Sequence, residues 1–126
     1  MPDRTILKAE ALTANAFAPF GEIVAHAGDG RRHALDQAFV VTSADARPRM
    51  WVNRYSQRPL SPPVVIDKME RHPHSFQTLI PLHAARFLVA VAPNTADGLP
   101  DLARLRAFMT TPGQGVTYRP DVWHYA

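Results

Sequence analysis

Phe76-Gln77-Thr78-Leu79-Ile80-Pro81-Leu82 and Arg86-Phe87-Leu88-Val89-Ala90-Val91 are the two stretches that decide the fold class. Both carry β-branched and aromatic residues, and the second is apolar on both faces, as a fully buried strand would be. Leu82-His83-Ala84-Ala85 between them suits a hairpin turn. Outward from this pair, prolines recur between short apolar runs, at Pro48, Pro59, Pro62, Pro63, Pro73, Pro81, Pro93, Pro100, Pro112 and Pro120. Proline lacks an N–H and fixes φ, so it interrupts helices and central strands. The spacing predicts many short strands joined by turns and argues against a helical bundle.

Further strands are expected at 5–9, 21–26, 38–42, 49–55, 64–66 and 116–118. In the 49–55 run, Trp51, Asn53 and Tyr55 alternate with Met50, Val52 and Arg54. Thr13 is an N-cap candidate for a helical turn over 14–17, which Gly21 ends after Pro19. A second short helix is expected over 100–108, with Pro100 at its start and Asp101 in its first turn. Pro112-Gly113-Gln114-Gly115 reads as a tight turn. Short strands with one or two short helices are the pattern of a mainly β protein, a barrel or jelly roll.

A chain of 126 residues is expected to form one domain, 1–126, with a real core. Cysteine is absent, which excludes disulfides, thiolate metal sites and cysteine nucleophiles. No run approaches the roughly 20 apolar residues of a membrane span. Met1-Pro2-Asp3-Arg4 opens no secretory signal, so a cytoplasmic protein without membrane partners is expected. The net charge of +3 comes from dispersed arginines, with Arg31-Arg32 the one adjacent basic pair. That is no nucleic-acid surface, although a modest positive field favours small anions. Gly113-x-Gly115 lacks the lysine and helix of a phosphate loop, and no nucleophile elbow occurs. No organic cofactor is expected.

Chemistry concentrates in Glu70-Arg71-His72-Pro73-His74 and in the later Trp123-His124. On one strand His72 and His74 would face the same way and could share a metal ion. Glu70 or Gln77 could add an oxygen ligand and His124 a third nitrogen. This resembles the cupin arrangement, although Gln77 stands where cupins carry a glutamate. Its parity also differs from that of His72 unless a bulge intervenes. Isolated histidines are more often satisfied polar residues than ligands, so the local pattern alone leaves both roles open. His26, His33 and His83 are assigned none, and Trp123 is expected to pack at the barrel mouth. Glu70 and Arg71 have ion pairs with other strands as their alternative role. Arg54 and Arg106 are candidates to hold a carboxylate, which a planar bidentate donor suits.

Taken in order along the chain, these motifs resemble one family, the bacterial ureidoglycolate lyases. The resemblance rests on Phe17-Ala18-Pro19-Phe20-Gly21, Asn53-Arg54, Met69-Glu70-Arg71-His72-Pro73 with Gln77-x-x-Ile80-Pro81, Leu105-Arg106-Ala107-Phe108, Gly113-Gln114-Gly115-Val116-x-Tyr118 and Val122-Trp123-His124. It implies a cupin-like β-barrel, a homodimer, a nickel cofactor, and cleavage of ureidoglycolate to glyoxylate and urea in allantoin (purine) degradation. It implies catalytic or metal-ligating His72 and His124, with His74 a weaker ligand. Gln77 would position substrate, Glu70 would be a second acid/base, and Arg54, Arg106 and Tyr118 would bind substrate. The family pattern continues past Ala126, and Tyr125-Ala126 replace its histidine and proline, so the resemblance implies a barrel short at its C-terminus. Two other functions fit the same residues: a non-catalytic cupin-like module that binds a small carboxylate or a protein, and a different metal-dependent cupin enzyme.

Overall fold

The computed structural model describes residues 5–26, 30–35, 52–54 and 61–125. The strand expected at 38–42 lies outside them, as does most of the one expected at 49–55. Thr13 caps its helix as expected: its backbone is extended and its hydroxyl accepts from the Ala16 N–H at 3.3 Å. The single turn α1 (Ala14–Phe17) that follows turns Phe17 fully inward. There its ring meets Phe108 edge-on at 5.8 Å and Tyr118 at 6.2 Å.

The described strands are β1 (Glu10–Ala11), β2 (Gly21–Val24), β3 (Met69–Glu70), β4 (Gln77–Leu79), β5 (Leu88–Ala92), β6 (Arg106–Met109), β7 (Gly115–Tyr118) and β8 (Trp123–Tyr125). They form a five-stranded sheet in the order β1-β6-β5-β8-β3 and a three-stranded sheet in the order β2-β7-β4. The sheets meet in one core. Val89, Val91 and Phe108 come from the first, Val116 and Tyr118 from the second, and Leu12, Phe17 and Phe20 seal the end. This is the mainly β class that the proline spacing indicates, and it is consistent with the cupin-like fold that the resemblance implies. Gly21 lets β2 lie close to β7, because any side chain there would collide with the Thr117 carbonyl. Gly113, at φ +81°, makes the expected tight turn before β7. Among the described residues, no helix is long and apolar enough to cross a membrane.

Four local expectations are corrected. The stretches 76–82 and 86–91 do not pair as a hairpin: β4 joins β7 in the small sheet, while β5 lies between β6 and β8 in the large one. Pro81 cannot extend the β4 ladder, and the doubly apolar β5 finds two neighbours and burial only in the larger sheet. The helix expected over 100–108 shrinks to a 3-10 turn, Leu102–Arg104, and Asp101 makes no side-chain cap. Ala107 and Phe108 are buried in β6 instead, where cross-strand packing outweighs helix propensity. The strand at 5–9 is displaced to β1, which pairs parallel to β6. Residues 64–66 are irregular and pairing begins at Met69.

Burial ranks the supports of this fold. Phe108→Ala should cost about 3–5 kcal/mol of unfolding free energy, since it empties the centre of the core. Thr13→Ala should cost about 1 kcal/mol, since it removes one exposed cap bond. Denaturant unfolding of the two variants measures the difference.

Candidate active site

Glu70 lies directly opposite His124 in the β3–β8 ladder, and opposed residues share a face of the sheet. His72, two residues beyond Glu70, keeps to that face: its ring lies 5.4 Å from that of His124. The His72 carbonyl accepts from the Asp121 N–H at 2.9 Å, which prolongs the pairing past the strand end. Glu70 Oε1 stands 3.8 Å from His72 Nε2 and 3.9 Å from His124 Nδ1. These separations are too long for hydrogen bonds. One ligand atom from each of Glu70, His72 and His124 lies within 4.8 Å of the others. His124 is buried while Glu70 and His72 are partly exposed, so the cluster opens towards solvent on their side.

The small sheet closes the cluster from the other side. Tyr118 stacks on His124 with ring centroids 4.3 Å apart and planes 3° from parallel. Gln77 is the direct partner of Tyr118 in the β4–β7 ladder and therefore stands on the same face. That answers the parity problem, because Gln77 reaches the site from a different sheet and not along the strand of His72. Three buried polar atoms here have no hydrogen-bond partner: His72 Nε2, His124 Nε2 and Gln77 Oε1. Buried polar atoms are rarely left so in proteins, and together they mark a place shaped for a ligand. Two imidazole nitrogens and a carboxylate oxygen fit a divalent first-row metal.

Burial sets the protonation states. Desolvation holds His124 below the usual imidazole range, helped by His72; the Tyr125 carbonyl and Glu70 pull the other way without prevailing. The Tyr125 carbonyl, 3.5 Å from Nδ1, favours the proton there and leaves the lone pair at Nε2. Burial pushes the Tyr118 phenol up, and the Glu70 carboxylate adds to the shift.

His74 and Arg106 stand apart from this cluster. His74 is exposed on the turn that Pro73 introduces, so His72 and His74 do not share a strand face. The Arg106 guanidinium donates to both Glu10 carboxylate oxygens at 2.8–3.1 Å and to the Ala16 carbonyl at 3.3 Å. These bonds hold the Glu10 carboxyl below its ordinary range. Arg106 thus fastens β1 and α1 to β6. Arg54 is exposed in an irregular segment.

Arg71 does pair with other segments. It lies 3.1 Å from Asp121 Oδ1, donates to Asn94 Oδ1 at 2.9 Å and covers the Trp123 ring at 4.9 Å. Asn94 escapes a sequence reading because no motif contains it. The available signal is the alternation itself: in Glu70-Arg71-His72 and Trp123-His124, every second residue must face away from the site.

A cupin-like fold carrying two imidazoles and a carboxylate between its sheets defines the class: a small-molecule enzyme scaffold. Comparison with known proteins supplies the family. The chain belongs to the ureidoglycolate lyases, whose family profile matches residues 4–126. It is 39% identical to a ureidoglycolate lyase of Rhodobacter capsulatus, over 94% of this chain and 75% of that one. It is 39% identical to one of Burkholderia cepacia, over 99% and 73%. A ureidoglycolate lyase of Schizosaccharomyces pombe is 35% identical, over 92% and 74%.

The lowered His124 predicts a direction for acid stability. An unfolded imidazole takes up a proton near pH 6.5, whereas the folded one does so only at lower pH. Below about pH 6.5 the unfolded state therefore binds more protons, and stability falls with falling pH until the folded imidazole also titrates. Denaturant unfolding of metal-free protein across this range should show that slope, and His124→Gln should flatten it.

Proposed function

We propose that the protein cleaves ureidoglycolate to glyoxylate and urea. The observation that carries this reading is the trio of unpartnered atoms on His72, His124 and Gln77, set beside Glu70 in a chain of the ureidoglycolate lyase family. Ureidoglycolate is a carbinolamine. Its cleavage requires removal of the hydroxyl proton, collapse to the aldehyde carbonyl with loss of the C–N bond, and delivery of a proton to the departing urea nitrogen. A neutral His124 is in the correct state to accept the hydroxyl proton. Glu70, within 4 Å of both imidazoles, is placed to move a proton between them. Gln77 Oε1 is a free acceptor for a ureido N–H, and Tyr118 holds the plane of the His124 ring.

Where a divalent metal is held instead, Glu70, His72 and His124 are the residues that would hold it, with His74 outside the set, and His124 would then give its lone pair to the ion and not act as the base. Such an ion supplies Lewis-acid polarisation of a substrate oxygen. The resemblance favours nickel, which the donor set alone does not select. For the substrate carboxylate, Arg54 is the better candidate, because Arg106 would have to release Glu10. The proposal also places the chain as one domain, 1–126, in a cytoplasmic homodimer acting in allantoin (purine) degradation. The family resemblance supports the homodimer and the allantoin role.

Incubation with ureidoglycolate, with and without added divalent metal, tests the proposal by urea and glyoxylate release. His124→Ala and Glu70→Gln should each lose about 10²-fold or more in kcat. Gln77→Leu should act mainly through substrate binding. A folded, metal-loaded protein with no turnover would reject the activity.

A further inference from the structure

Behind the site, on the opposite face of the large sheet, lies a second polar cluster that the proposed chemistry does not use. Asn94 is its hub. Its Oδ1 accepts from Arg71 Nη1 at 2.9 Å and from Trp123 Nε1 at 2.9 Å. Its Nδ2 donates to the Asp121 carbonyl at 2.9 Å and to Asp121 Oδ2 at 3.2 Å. Every hydrogen-bonding position of the amide is in use, and its orientation is unambiguous because Arg and Trp can only donate. Arg71 closes the loop on Asp121 Oδ1 and lies over the Trp123 ring. Gly98, at φ +78°, lies beside its guanidinium: an added Cβ would make ordinary van der Waals contact with Nη1 at 3.6 Å, so it is the backbone conformation that favours glycine there.

Each member adjoins a site residue or bonds to one that does. Arg71 separates Glu70 from His72, and Trp123 precedes His124. Asp121 takes a left-handed backbone, φ 68°, that a non-glycine residue rarely adopts. In that conformation its N–H bonds the His72 carbonyl and its own carbonyl faces Asn94. The three segments that must agree for His72 to meet His124 are therefore joined on the outer face at a single amide.

We infer that Asn94, with Arg71 and Asp121, is a positioning device that sets the spacing of the His72 and His124 imidazoles from behind the sheet. None of the three touches substrate. The role rests on the proposed function only for its effect on turnover; its effect on the imidazoles stands independently. Outer partners that orient ligating groups commonly change metal affinity or activity 10- to 100-fold. The cluster is solvent-accessible, so its loss should leave the fold intact.

Asn94→Asp is the sharpest variant. It keeps shape and both acceptor bonds, but turns an oxygen towards the Asp121 carbonyl and carboxylate. With ¹⁵N-labelled histidine, the ring resonances of His72 and His124 should shift or broaden. Zn²⁺ affinity, measured by calorimetry on metal-stripped protein, should weaken about 10-fold or more. In the turnover assay kcat should fall similarly while KM stays within about twofold, with circular dichroism and melting temperature close to wild type. Unchanged imidazole resonances and Zn²⁺ affinity in a folded Asn94→Asp protein would overturn the inference. If that variant does not fold, Arg71→Met decides through the same measurements, and if neither folds the cluster is a structural staple and the inference fails. If wild-type protein neither turns over ureidoglycolate nor binds Zn²⁺, the proposed activity and metal site fail, and the imidazole resonances alone decide the positioning role.

Discussion

The stack of Tyr118 on His124 is the contact on which the rest depends. It joins the small sheet to the large one, and both residues are almost fully buried. On one side Tyr118 meets Phe17, and through it Phe108 and the apolar core. On the other side His124 meets His72 and the Glu70 carboxylate. A file of rings thus runs from the capped helical turn to the edge of the site. The same burial that stabilises the fold keeps the imidazole and the phenol neutral. Core and chemistry are therefore not separable modules here. The site is the point where core packing runs out of apolar side chains.

The large sheet works on both faces. Its inner face carries Val89, Val91 and Phe108 into the core and brings Glu70 and His124 beside them. Its outer face carries the cluster around Asn94. Arg106 belongs to the mechanical side of this arrangement: it spends its donors on Glu10 and Ala16 and so binds the chain's first strand and helical turn to the sheet.

Local signals in the sequence were legible where local forces decide the outcome. Thr13 caps its turn, Gly113 makes its turn, the prolines break the strands, and Glu70, His72, Gln77 and Tyr118-to-His124 contain the groups that the site gathers. Partner choice was not legible. Gln77–Leu79 and Leu88–Ala92 look like a hairpin, yet separate sheets claim them, since pairing depends on segments well beyond the intervening turn, from Arg106 to His124. Ala107-Phe108 has ordinary helix propensity and becomes strand because neighbours on both sides bury it. Asn94 and Glu10 carry no pattern of their own. Their importance comes wholly from what the fold sets opposite them.

Asp121, held in its left-handed turn with its N–H on the His72 carbonyl, has a consequence for how this chain can change length. Strand parity assigns Glu70, His72 and His124 to one face and Arg71 and Trp123 to the other. Adding or deleting one residue between Glu70 and His72, or between Trp123 and His124 within β8, would exchange the faces, sending a guanidinium or an indole inward and an imidazole outward. Loops elsewhere can drift in length one residue at a time. These two segments can do so only in steps of two, and the hydrogen bond from Asp121 to His72 opposes even that. Their spacing is therefore a mechanical constant of the fold, fixed by the same ladder that brings the imidazoles together.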